Sequence, residues 1–338
     1  MSTARFGVIS GLSLAAAAGL DGWLGAPRDL SLLLALLFWS ALGQGAIALV
    51  AAVELAQGKW LGALRPLLLE LAPCLLASPI LFLLLETHLA AYPWSAQPTL
   101  WLAPVFFLAR NTLLLALTAG LALGFARACR REESPWRGRL AVLYLFSFVI
   151  TQSLAGFDWV MSLDAPWIST LFGPLFFVEA FFGATALAVI LSAVLCWRGV
   201  AAARPIVKDS ATLLFGFSLL WGGLFFAHVL TLWYANIPEE VAFLTSRLEI
   251  PGMLELGIFM VLAFFAVPFT AAIPSKSRSV PGIALVLAVS VLLGYQAEKA
   301  FYVLPRAEVC AGLWFVQWIL LGIPFLARLI PWIRNAAI

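Results

Sequence analysis

Long apolar stretches alternate with short polar ones along the whole chain. Ten apolar segments stand out, at approximately 6–22, 31–56, 63–86, 99–125, 138–156, 169–197, 210–236, 251–273, 279–296 and 308–334. Crossing the hydrocarbon core of a bilayer takes about 20 apolar residues in a helix. Within lipid every backbone polar group must be satisfied, so a span is a helix or part of a closed barrel. These segments are far longer than the roughly 10-residue strands of a membrane barrel. The expected fold is therefore all-α, a polytopic membrane protein of about ten transmembrane helices. No polar stretch is long enough for a separate soluble domain, so residues 1–338 are read as one integral membrane domain. Composition agrees: 63% of residues are hydrophobic and 11% charged, where soluble domains carry about 25% charged residues. Arg5 and the Ala-rich run behind it share features with a signal peptide, but the run is read here as the first span. Pro73, Pro79, Pro104, Pro174, Pro268 and Pro324 fall within the segments and are expected to break or bend them.

Charge then orients the spans. One set of alternate loops and termini carries fifteen basic residues, with Arg127, Arg130, Arg131, Arg137 and Arg139 in a single connection. The opposite set carries Arg28, Arg247, Lys299 and Arg306. Cytoplasmic loops are the Lys/Arg-rich ones, so both termini are expected in the cytoplasm. Trp159, Trp167, Trp233 and Tyr234 fall near the outer boundary, where an aromatic belt is expected.

Charged side chains inside a bilayer cost about 2.5–3.5 kcal/mol each on insertion scales and usually face a bundle interior or a water path. Glu70, Arg110, Glu179, His228 and Glu255 are such residues, on the third, fourth, sixth, seventh and eighth segments. Arg110, Glu179 and His228 fall at a similar depth and are expected to meet, as a proton relay or as a structural ion pair. For His228 alone, a hydrogen-bonded core histidine is the simpler reading. Lys208 and Asp209 open the seventh segment on the inner side, either as snorkelling and capping groups or as a proton entry. Gln44 and Gln152 suit helix-to-helix hydrogen bonds.

Two polar stretches interrupt this pattern on the outer side, near 157–168 and 237–250. The first, FDWVMSLDAPWISTLFG, holds Asp158 and Asp164 between tryptophans; the second, LWYANIPEE, ends on Glu239 and Glu240. With Glu249 these carboxylates are expected to form an acidic outer rim for docking a neighbouring subunit, since acidic rims steer basic partners.

Cys74, Cys129, Cys196 and Cys310 lie far apart and form no CxxC, which excludes the cysteine motifs for zinc, Fe–S clusters and haem c. The basic residues are scattered among loops, and no nucleic-acid partner is implied. No nucleophile–base or metal constellation points to an enzyme acting alone.

Phe157, Asp158 and Trp159, then Met161, Ser162 and Leu163, then Trp167, Ser169, Thr170, Phe172 and Gly173 resemble the outer motif of one family. It is the ActF-type, NrfD/PsrC-like membrane subunit of alternative complex III, the bacterial quinol:cytochrome c oxidoreductase. The stretch from Trp221 to Glu240, including Trp233, Tyr234, Glu239 and Glu240, resembles that family's next signature. The likeness covers the middle of the chain, about 140–268; the outer thirds match in hydropathy only. The chain departs from the family pattern at Pro166 and His228. The resemblance implies a ten-helix fold with two four-helix bundles and a multisubunit quinol-oxidising complex. The implied partners are a haem c subunit, an Fe–S subunit and a sister NrfD-like subunit with the main quinol site. The chain itself would carry no redox centre. It would support assembly and proton conduction and stand in contact with quinone or quinol. The alternative is a secondary transporter working alone, a class to which ten helices with prolines and buried charges also belong.

Overall fold

The computed structural model describes residues 3–131 and 134–335. Ten helices in it are long and apolar enough to cross a membrane: Ala4–Leu24, Ser31–Leu55, Leu64–Ala91, Pro104–Cys129, Arg137–Asp164, Phe172–Trp197, Ala203–Ala235, Met253–Ala272, Pro281–Val303 and Ala311–Asn335. They are called the first to tenth spans below. Among the described residues there is no strand, only an isolated bridge between Asp29 and Glu308. The chain is thus an all-helical, multi-pass membrane protein.

The second span is apolar on every side, and such a helix belongs in the interior. It is almost wholly buried, packed on the third, fifth, sixth and tenth spans. Small residues let it approach the sixth span. A Cβ on Gly45 would lie 2.1 Å from the carbonyl oxygen of Ala180 and 3.2 Å from the Cβ of Ala184. Close backbone approach through small residues is how helices associate where lipid removes the hydrophobic driving force. We expect Gly45→Ala to lower the thermal midpoint in detergent, because the obstructing atom is backbone and overpacking costs about 1–3 kcal/mol or more. Gly19→Ala, whose Cβ would meet nothing within 4 Å, is the control and should leave the midpoint unchanged.

Prolines act differently from one span to the next. The third span is composite: an α-turn Leu64–Leu69, a 3-10 turn Ala72–Leu76 containing Pro73, a helix Ala77–Leu84 and a further 3-10 run Leu85–Ala91. Pro104 and Pro174 break nothing. They sit in the first turn of the fourth and sixth spans, where a missing N–H costs no helical bond. A π turn, Leu262–Ala266, ends two residues before Pro268, and Pro324 lies inside an uninterrupted helix.

Three boundaries differ from the hydropathy reading in ways that matter. The fifth span does not stop near residue 156; it continues through a π turn, Ala155–Val160, and a 3-10 turn, Met161–Asp164. The ninth reaches Val303 and so includes Glu298 and Lys299. The stretch read as a loop near 237–250 is mostly a short helix, Pro238–Leu248. The end of the bundle bearing these motifs is called the motif face, and the opposite, arginine-rich end the basic face.

Candidate functional site: buried charge beneath the motif face

The extended fifth span turns the motif inward. Its π turn carries Asp158 and Trp159 into the bundle, and π turns insert one extra residue per turn in this way. Gly156 and Gly173 make room: a Cβ on Gly156 would meet the Phe176 ring at 3.0 Å, and one on Gly173 the Phe157 ring at 2.8 Å. Asp158 is 1% exposed. Its carboxylate accepts from Arg110 Nη2 at 2.6 Å, Arg110 Nε at 3.2 Å, Asn111 Nδ2 at 2.8 Å and Trp101 Nε1 at 3.1 Å. Trp159 donates its indole N–H to Asn111 Oδ1 at 2.9 Å and stacks on Phe82. A buried carboxylate with this many donors is fully compensated.

Asp164 ends the same span and binds two arginines. Arg247, fully buried, donates to it at 2.5 and 3.2 Å. Arg306, about one-third exposed at the motif face, donates to it as well. Arg247 also donates to the carbonyls of Phe243, Phe301 and Tyr302. Beyond Tyr302 the polar chain goes deeper. The Tyr302 hydroxyl donates to Glu298 Oε1 at 3.4 Å, as does Trp221 Nε1 at 3.1 Å. Lys299 donates to Glu179 Oε2 and lies 3.6 Å from the centre of the Phe176 ring. Glu179, Glu298 and Lys299 have no exposed surface. The Glu179 and Glu298 carboxyls lie near each other, and each has one buried oxygen without a hydrogen-bond partner, Glu179 Oε1 and Glu298 Oε2. Two buried carboxyl groups thus lie beside one ammonium. A string of polar groups runs inward from Arg306 through Asp164 to Arg247, which holds the Tyr302 carbonyl, and from the Tyr302 hydroxyl to Glu298, with Lys299 and Glu179 beside it.

The expected meeting of Arg110, Glu179 and His228 does not occur. Arg110 pairs with Asp158, Glu179 with Lys299, and His228 Nδ1 lies 3.2 Å from the Ser169 hydroxyl. Shared depth on three helices says nothing about which faces they present. His228 is held among the rings of Trp167, Phe172 and Phe243, as a core histidine would be. The acidic rim is also corrected. Asp158 and Asp164 are buried and paired, leaving Glu239, Glu240 and Glu249 exposed. Of the expected belt, Trp159 and Trp167 are core residues, and Trp167 stacks on Phe243 with ring centres 3.7 Å apart. Trp233 and Tyr234 are 73% and 83% exposed, as a belt requires. Phe157 is half-buried against Gly173.

The remaining candidates stand apart from this path. Glu70 pairs with Arg130 and Arg328 at the basic face. Glu255, Lys208 and Asp209 are exposed. Gln152 Nε2 donates to Gln44 Oε1 at 3.0 Å, the expected bond between helices. Four functional-grade residues escaped the sequence reading: Lys299 and Arg247, counted as loop charges, and Glu298 and Asp21. Asp21 accepts from Gln317 Nε2 at 2.9 Å and lies 2.8 Å from His88 Nε2, tying the first, third and tenth spans together.

A cleft of about 580 Å³ opens at the motif face above Asp158, with Trp94, Trp101, Phe157, Met161 and Trp167 in its wall. Pockets of this size and apolar character suit small organic ligands. Among the described residues no group of three or more His, Cys, Asp or Glu is arranged to hold a metal ion. No protein-family model matches this chain, and no curated protein is significantly similar to it in sequence.

Proposed function

We propose that the chain is a membrane subunit of a quinol:cytochrome c, or quinol:oxidase, electron-transfer complex, carrying no redox centre and serving assembly and proton conduction. The observation that supports this reading best is the buried polar path from Arg306 to Glu179. Charged groups within a membrane domain are costly and mark proton or substrate routes. A quinol-oxidising complex must discharge protons near one membrane surface, and this path opens at the motif face. In the same reading the aromatic cleft above Asp158 is the contact for quinone or quinol, and exposed Glu239, Glu240, Trp233 and Tyr234 dock a partner. The partners are a sister NrfD-like subunit, a haem c subunit and an Fe–S subunit, in the inner membrane of a bacterium.

The helix packing supports the architecture that goes with this proposal. Spans two to five pack on one another, as do spans six to nine, and the first lies along the tenth. That is compatible with two four-helix bundles and a peripheral pair. The excess of arginine and lysine on the basic face supports cytoplasmic termini.

Tyr302 offers a test of the proton path. Tyr302→Phe removes the hydroxyl that reaches Glu298 but leaves the backbone carbonyl that Arg247 holds. The expected result is an intact complex with slowed proton-coupled quinol turnover. Unchanged turnover would remove Tyr302 from the path. Trp159→Ala should instead lower the yield of folded chain, since truncating a buried aromatic costs about 3–5 kcal/mol; wild-type yield would contradict that.

One observation favours a second reading, a transporter acting alone. The third span is interrupted by 3-10 turns and the eighth by a π turn, and discontinuous helices build transporter sites. That reading predicts substrate uptake by cells expressing this chain alone.

A further inference from the structure

We propose that a cleft on the basic face binds the phosphate group of an anionic phospholipid. The cleft has a volume of about 420 Å³ and lies where the start of the third span meets the ends of the fourth and tenth. Arg65 and Arg130 line it beside Glu70 and Cys129, and Pro66, Leu69 and Trp332 form an apolar wall. Among the described residues the charges around it do not balance. Glu54 pairs with Arg65 and Arg137, and Glu70 with Arg130 and Arg328. Among the described residues four guanidinium groups, two of them lining the cleft, meet two carboxylates, a surplus of two positive charges. Donors are in surplus too. Arg130, which lines the cleft and is more than half exposed, spends one nitrogen on Glu70, and a guanidinium has five N–H groups. Arginine forks match the tetrahedral oxygens of phosphate.

The apolar wall identifies the source of that phosphate. A soluble anion has no use for Pro66, Leu69 and a half-exposed Trp332 beside the arginines, whereas a lipid carries its glycerol and first acyl carbons there. Basic pockets between membrane helices hold anionic headgroups in this way, and tryptophan sits at headgroup level. This inference is independent of the electron-transfer reading.

The test uses the purified full chain, by native mass spectrometry with phosphatidylglycerol and phosphatidylcholine of identical acyl chains. The wild type should retain phosphatidylglycerol preferentially. Arg130→Gln should weaken that preference about fivefold or more. Arg130 is the variant of choice because it is more than half exposed and its loss leaves Glu70 paired with Arg328. A second measurement needs no mutation. Cys129 lines the cleft, so phosphatidylglycerol should slow its alkylation while exposed Cys310 reacts as before. Equal retention of the two lipids, an unchanged preference in Arg130→Gln, or Cys129 alkylation indifferent to phosphatidylglycerol would each overturn the proposal. Protection of Cys129 by inorganic phosphate as effective as that by phosphatidylglycerol would also overturn it, by making the ligand a free anion.

Discussion

Lys299→Met should leave almost no folded protein in the membrane. Among the described residues Lys299 is the cation that neutralises Glu179, and it adjoins Glu298; all three are without exposed surface. Burying an ion pair adds little net stability, yet removing one partner costs about 3–5 kcal/mol because the other charge stays behind uncompensated. Set against a typical stability of about 5–15 kcal/mol, that loss is large. Fluorescence-detected size exclusion of the tagged variant reads it directly, as a vanished monodisperse peak. Combining Lys299→Met with Glu179→Gln should recover part of the peak, since the stranded charge is then gone. A stable Lys299→Met single variant would mean that the buried group is neutral or hydrated, and the path drawn through it would fail.

Glu179→Gln has the opposite profile. Glutamine keeps the shape of the side chain and an oxygen for Lys299 to bind, and Glu298 remains beside Lys299 as its counter-charge, so the chain should still fold and assemble. What disappears is the ability of Glu179 to take up and release a proton beside Glu298. Proton-coupled quinol turnover should fall by on the order of 100-fold, the lower end of what a positioned proton donor or acceptor contributes. Stopped-flow proton release with a quinol donor measures it. Wild-type release and turnover would remove Glu179 from the proton route.

Hydropathy alone made the ten spans legible, because a bilayer forces each long apolar run into a helix. It misplaced the ends that carry the chemistry. The ninth apolar run thins out at Gln296, and Glu298 and Lys299 read as the start of a polar loop. Yet Ala300, Phe301, Tyr302 and Val303 follow at once, and that renewed apolar stretch was the signal that the helix continues. Asp158 was singled out for its motif and Arg110 for its depth, and the two prove to be partners. An arginine within a membrane helix demands an acceptor, but which carboxylate answers depends on how the fourth and fifth spans rotate against each other. That rotation is set by packing, including Gly156 against Phe176 and Gly173 against Phe157, and no single-chain pattern encodes it. Arg247 was counted as an outer loop charge because its neighbours are polar. Its spacing of four from Phe243 on a short amphipathic helix was the available hint.

The central claim is membership of a quinol-oxidising complex, and one measurement reaches it directly. The tagged chain is extracted from its native membrane in mild detergent, captured, and the visible spectrum of the eluate recorded before and after adding a quinol. The account predicts additional subunits and haem c absorbance that the quinol reduces. A colourless eluate containing this chain alone would contradict it.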